Sequence, residues 1–427
     1  LGTVLKGGTL VELEPAHVEV ADLRVEEGRI VARGADLPAR EGDDVVSLSG
    51  KLVMAGLVSA HVQPAAVLGR GLRLPSAEGR PLPPSLEARF RLEDALDLHA
   101  VQVAGTVTAL EALQSGTTTV FAHHASPACP EGSLLRLARG VNEVGVRAVL
   151  AYAASDRAGE AARERGLAEA VAFTRKAQGR FRGAVGVQPL CTVTDAGLQA
   201  VARAVAAVGG ALHAELAEVP QDERLCVEHH GRPPVERLLA ANLLEPRALA
   251  AHVVHLAWAD LAQLIATGTW LVHAPRANMQ AEVGYAPAGK FGHRATLGTA
   301  ELGADLFAEA QAARRRSLDA GQPVDVLRYL ANGHRLASEA FGAPVGPLRE
   351  GALADLLVLD YRPPTPLLAE TLAAHLLDGL SSRSVESVMV DGVWRMWARK
   401  PLSVSPESIT EEARSVAREV WARMGQG

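Results

Sequence analysis

Imidazoles, amides and carboxylates stand at the ends of a series of short apolar runs in this sequence. His61 and Gln63 close "LVMAGLVSAHVQ", His123 and His124 close "TTTVFAHH", and Gln188 follows "GAVGV". His213, Glu215 and Glu218 fall in "LHAELAE", His252 and His255 in "AAHVVH", His273 in "TWLVHAP", and Thr299 and Glu301 in "LGTAE". A single histidine of this kind is usually an ordinary hydrogen-bonded residue. Six or more imidazoles delivered to one face exceed what a purely structural core needs. Gathered together, these groups would line a cavity that takes a polar ligand or a metal ion.

One face can collect them only if the runs are parallel strands whose ends converge. The candidate strands are "KLVMAGLVSAH", "TTTVFAHH", "VRAVLAY", "GAVGVQP", "GALHAE", "ALAAHVV", "TWLVHAP" and "RATLGT", eight in all. Ala/Arg/Glu-rich helical stretches separate them, including residues 95–114, 161–178, 195–208, 234–242 and 258–266. Repeated strand–helix units of this number predict an α/β fold, a closed (β/α)8 TIM-like barrel, with its chemistry at the C-terminal ends of the strands. The alternative is an open doubly wound sheet, but no GxGxxG follows the first strand of this region. Both chain ends read differently, as short β-branched strands punctuated by Gly28, Gly50 and an Asp391-Gly392 hairpin signal. Neither end can bury a core alone, so residues 1–54 and 350–402 are expected to pair into a small β-sandwich. The barrel then spans 55–349, and a C-terminal amphipathic helix lies within 408–425.

Size and charge agree with this plan and exclude others. The chain has 427 residues, 48% of them hydrophobic, enough for one large core and a satellite. A net charge of -6 argues against nucleic acid or an acidic lipid surface as partner. Cys129, Cys191 and Cys226 have neither CxxC spacing nor an even count and read as reduced thiols. With no secretory leader and no apolar run long enough to span a bilayer, the expected location is the cytoplasm, with no membrane partner. The sequence opens on Leu1 rather than Met, as expected if a short upstream piece lies outside it.

Six ordered segments carry a resemblance: "LVMAGLVSAHVQ", "GTTTVFAHHASP", "LHAELAE…GRPPVERL", "LAAHVVHL…GTWLVHAPRANM", "LGTAELGADLF" and "LREGALADLLVLD". Together they resemble the amidohydrolase superfamily over essentially the whole chain. The resemblance is closest to its aminohydrolase and chlorohydrolase branch of cytosine, guanine and triazine deaminases, near the aminohydrolases associated with selenium-linked purine catabolism. It implies one Zn2+ or Fe2+ held by His-x-His on the first strand, His on the fifth, His on the sixth and Asp on the eighth. Imidazoles would hold the cation, the cation would make water a usable nucleophile, and a Glu after the fifth strand would move protons.

Carried over residue by residue, that pattern is incomplete. His61 and His252 match ligands, but Gln63 replaces the second His, Glu215 stands at the fifth-strand ligand, and Ala300 takes the place of the Asp. Glu218 keeps the proton-transfer position. A second alignment puts His213 at the ligand and Glu215 at the proton-transfer position. His273 matches the histidine facing substrate or water, and Ala277 replaces the Ser ahead of Asn278. The metal set is therefore His61, Gln63, Glu215 and His252, with one divalent ion weakly held or absent. Glu218 and His273 are the catalytic candidates, while His124, His213, Asn278 and Glu301 are the pocket candidates. Glu301, as a strand neighbour of Ala300, should point away from the site unless the strand end turns. For the His123-His124 pair the favoured reading is a ligand-facing His124, and the alternative is that one member merely caps its strand and orders the "ASPACPEG" loop. His229-His230 reads as solvated surface, His255 as structural, and "GYAPAG" as a loop at the barrel mouth.

Two functions follow. One is an aminohydrolase acting on C–N bonds of a small nitrogen heterocycle with altered metal coordination. The other is a catalytically silent homologue that binds a small molecule or supports a related protein. Either could act as a homodimer or beside a relative.

Overall fold

The computed structural model describes residues 2–73 and 81–425. Eight parallel strands follow one another around the barrel among these residues. They are β1 (Leu57–Val62), β2 (Thr117–His124), β3 (Arg147–Ala154), β4 (Phe181–Val187), β5 (Leu212–Leu216), β6 (Leu249–His252), β7 (Trp270–His273) and β8 (Ala295–Leu297). Each strand pairs in parallel with the next, and a Val62–Ala300 bridge joins the two ends of the sheet. Closure happens at the histidine end, where the amides of Thr299 and Ala300 both donate to the His61 carbonyl at 2.9 Å.

Side-chain alternation divides each strand between two cores. On β5, Leu212, Ala214 and Leu216 face the surrounding helices. His213 and Glu215, buried between them, belong to the other face. Below the histidines, Val58, Phe121, Val149, Ala184, Leu249, Trp270 and Val272 fill the interior, so the barrel is a packed core with a polar upper end. The outer helices keep close to the expected positions, for example Asp195–Val208, Trp258–Ala266 and the second helix, α2, at Leu98–Gln114.

Among the described residues, the terminal segments build a nine-stranded mixed sheet. Its N- and C-terminal parts join where Leu52–Ala55 runs antiparallel to Leu356–Leu359. Asp391-Gly392 makes the expected hairpin, with φ of 56° and 73°. One expectation is corrected here. "KLVMAGLVSAH" is not a single strand: it breaks at Gly56, with Leu52–Ala55 in the terminal sheet and β1 in the barrel. A Cβ at Gly56 would overlap the Thr118 side chain, so the close approach at the break requires glycine.

A helix absent from the sequence reading, α1 (Pro84–Asp94), lies before α2. The C-terminal helix Pro406–Arg423 braces this corner: Trp421 Nε1 donates to Leu68 O at 2.8 Å and Arg423 Nε to Ala95 O at 2.7 Å. No helix among the described residues is long and apolar enough to cross a membrane.

Candidate metal and ligand site

His61, Glu215 and His252, from β1, β5 and β6, are buried and bring three ligand atoms within 4.8 Å of one another. Each imidazole is oriented by a neighbour. His61 Nδ1 lies 2.8 Å from His213 Nε2, and His252 Nδ1 lies 2.9 Å from Asn278 Oδ1. A proton on Nδ1 of both rings would leave each Nε2 turned to the interior as the potential ligand atom. Both Nε2 atoms are buried without a hydrogen-bond partner. His252 stands at φ 73°, and Val253, Ala217 and Ala300 also have positive φ. Such strained conformations at strand ends are characteristic of sites whose side chains must be aimed.

Glu215 is the hub. Its Oε1 accepts from the Gln63 amide and lies 3.3 Å from His123 Nδ1, while its Oε2 accepts from Arg89 Nη2 at 3.1 Å. Arg89, carried on α1, was not anticipated. The same Nη2 is 3.1 Å from Glu218 Oε2, and Nη1 is 3.3 Å from Glu301 Oε1. Glu301 reaches the guanidinium because the chain turns at Ala300, where φ is 46°. Beyond Arg89 and Glu301 opens a cavity of about 370 Å3, lined also by Arg70, Ser85 and Gln280.

The remaining candidates separate. On β2, alternation places His123 beside Glu215, whereas His124 turns to the other face. There His124 bonds Ser126 Oγ at 3.0 Å and lies edge-on to Tyr152. The expectation that His124 faces the pocket is thus corrected to His123, and His124 orders the following loop. His273 is buried edge-on to Tyr285 and Phe291, with neither ring nitrogen hydrogen-bonded. His255 lies 2.6 Å from the Val283 carbonyl, and His229 is exposed.

Burial and neighbouring charge set the protonation states. Burial, reinforced by surrounding imidazoles, keeps His61 and His213 far below the usual histidine range. Burial also pushes His124 and His273 down to about 3. Burial would lower His252 too, but Glu218, Glu301 and Glu215 outweigh it and raise its affinity for a proton. Desolvation opposes ionisation of Glu215, yet Arg89 and His123 hold it well below the carboxylate range. Glu301 is raised, by burial and by Glu218 beside it.

Known proteins share this architecture. The pattern of the amidohydrolase family matches residues 52–395. The chain belongs to the amidohydrolase family. Among similar family members is a 5-methylthioadenosine/S-adenosylhomocysteine deaminase of Desulforudis audaxviator, 29% identical, the match covering 93% of this chain and 94% of the relative. A 5'-deoxyadenosine deaminase of Methanosarcina mazei is 26% identical, with 99% of each covered. A solved adenosine deaminase of Xanthomonas campestris with bound zinc superposes at a TM-score of 0.85 with 22% identity, covering 98% of each chain, and so shares the fold.

Among amidohydrolase-family donor sets, this one is atypical and reduced. His61 Nε2 and His252 Nε2 fit a divalent ion. Glu215, the third donor, is already engaged on both oxygens, and Ala300 offers nothing at the end of β8. The residues present form a plausible single-metal site suited to weak binding or none, and they do not fit a firmly held catalytic ion.

Behind Arg89 on the same face of α1, Glu93 is 8% exposed and accepts from Gln188 Nε2 at 2.6 Å. Burial pushes its carboxyl up from the ordinary 4.5 to about 7. A raised acid binds its proton more tightly in the folded state, so its contribution is complete below pH 4.5 and lost as pH rises through about 7. Glu93→Gln is expected to flatten the decline in stability across that window. Denaturant midpoints measured at the two ends of the window check this, and an unchanged slope contradicts it.

Proposed function

We propose that this barrel binds an amine-bearing heterocycle of the aminopurine nucleoside class, and that metal-dependent deamination is lost or severely weakened. The observation that carries this reading is at the end of β8. Ala300 packs there with Ala274, Ala277 and Leu302 as a small apolar cluster. A carboxylate would be needed in that place to help hold an ion and orient attacking water. The ligand class rests on charge. Glu215, Glu218 and Glu301 converge on Arg89, and Glu301 lines the cavity beside Arg89 and Arg70, so the site suits a neutral molecule whose N–H groups can donate to these carboxylates. The resemblance to purine aminohydrolases and the adenine-nucleoside deaminases among the relatives point the same way. The three free thiols suit the cytoplasm.

One observation favours a second reading, a residual hydrolase. The open Nε2 atoms of His61 and His252 remain, and Glu218 Oε2 stands 3.9 Å from the latter. Glu218 would then move protons, and His273 would stabilise developing charge.

Metal analysis of chain purified without chelator, combined with titration by adenosine and inosine, decides between them. The expected result is well under one ion per chain and saturable binding without ammonia release. Adenosine should be preferred by about tenfold or more, the worth of one hydrogen bond to a charged acceptor. A stoichiometric ion with ammonia release establishes the hydrolase, and failure of every aminopurine to bind overturns the ligand class.

A further inference from the structure

We propose that Arg89 is the resident cation of this site: its guanidinium supplies from within the chain the charge that a divalent ion would otherwise bring, and it keeps such an ion out. This rests on the reading that the parent chain is metal-poor. The geometry is that of two carboxylates shared between a cation and an imidazole. Glu215 gives Oε2 to Arg89 Nη2 at 3.1 Å, while its Oε1 lies 3.9 Å from His61 Nε2. Glu218 Oε2 stands 3.1 Å from the same Nη2 and 3.9 Å from His252 Nε2. The guanidinium is thus a single carboxylate away from each unpartnered imidazole nitrogen. A divalent ion on those nitrogens would meet its repulsion in a poorly screened interior and compete with it for the same oxygens.

Arg89 is built into this position. It sits mid-helix on α1 at 9% exposure, and Nη1 has a third carboxylate, Glu301, at 3.3 Å. A purely structural arginine would account for the ion pairs. It would not account for two fully buried imidazole nitrogens left without partners beside the carboxylates it occupies. Removing the guanidinium would strip three carboxylates of their shared counter-charge, two of them 3.9 Å from an imidazole nitrogen. That is a cation site by composition.

The test compares full-length parent, Arg89→Met and Arg89→Lys, stripped of metal and titrated with Zn2+ by calorimetry, with Co2+ absorption as an independent report of coordination. Arg89→Met should take up one Zn2+ per chain with an affinity at least about 10- to 100-fold above the parent, the scale of change seen when the support of a metal site is altered. Arg89→Lys retains the charge and should stay close to the parent. Should Arg89→Met not fold, Arg89→Met with Glu301→Gln removes one charge of each sign and must still gain zinc. No gain in either variant, or an equal gain in Arg89→Lys, overturns the proposal. A parent that already holds one ion tightly overturns instead the reading on which it rests.

Discussion

Asp355→Ala is expected to cost about 3–5 kcal/mol of stability, the usual penalty for stranding one partner of a buried ion pair. Arg147 opens β3 at the end of the barrel opposite the histidines, and Asp355 directly precedes the terminal-sheet strand Leu356–Leu359. The contact is two-pronged, with Nε to Oδ2 at 2.8 Å and Nη2 to Oδ1 at 3.1 Å. Both residues are nearly inaccessible to water. Asp355 Oδ1 also accepts from the Asp391 amide at 2.7 Å, which ties in the 391–392 hairpin. Without Asp355, the guanidinium keeps only half-exposed Asp391, at 3.2 Å, and the face of Phe341 at 5.0 Å. Equilibrium denaturation should show the midpoint fall steeply. The double variant Arg147→Met, Asp355→Leu, which removes both charges, should recover much of the loss. If the single and double variants are equally unstable, the cost lies in packing rather than in an unpaired charge.

That latch was invisible in the sequence, and the reason applies to the site as well. Period-2 alternation and strand-bounded apolar runs are local signals, and they marked all eight barrel strands and the segments that form the terminal sheet. Which of two adjacent histidines faces inward depends on registration to the neighbouring strands. His123 and His124 could therefore be told apart only once Phe121 was seen inside the barrel and Ala122 outside. Glu301 needed knowledge of the turn at Ala300, a backbone event with no glycine to announce it. Arg89 was the largest omission, yet it left a trace. In "SLEARFRLED", Leu86, Arg89, Phe90 and Glu93 share one helical face, so charged groups sit among the residues that must be buried. A charge on the buried face of a helix needs a partner, and here the partners lie 126 and 129 residues away in the chain.

Adding donors at the ends of β1 and β8 should raise metal affinity, because supports for a metal are in place. His213 and Asn278 hold the two surviving imidazoles with Nε2 turned inward. Ala300 occupies a left-handed conformation at φ 46°, which Asp and Asn tolerate better than most residues. Ala277 and Ala300, which stand where the resemblance places Ser and Asp, belong to the same apolar cluster. Both positions are apolar, and neither leaves a polar group unsatisfied. Restoring Asp alone should fail in the absence of metal. Ala300→Asp would bury a carboxylate among alanines, costing about 1–3 kcal/mol until a cation or donor arrives. The triple variant Gln63→His, Ala277→Ser, Ala300→Asp supplies the missing imidazole, the missing carboxylate and a hydroxyl near it. Its zinc affinity is expected to exceed the parent's by more than about 100-fold, since ligands themselves outweigh the outer contacts whose loss costs up to that much. Melting curves with and without Zn2+ read both effects together. Ala300→Asp should be destabilised without zinc and rescued by it, and saturation at a hundredfold excess over Kd should add about 2.7 kcal/mol. A triple variant indifferent to zinc would mean that Arg89, and not the lost ligands, controls access of the ion to this barrel.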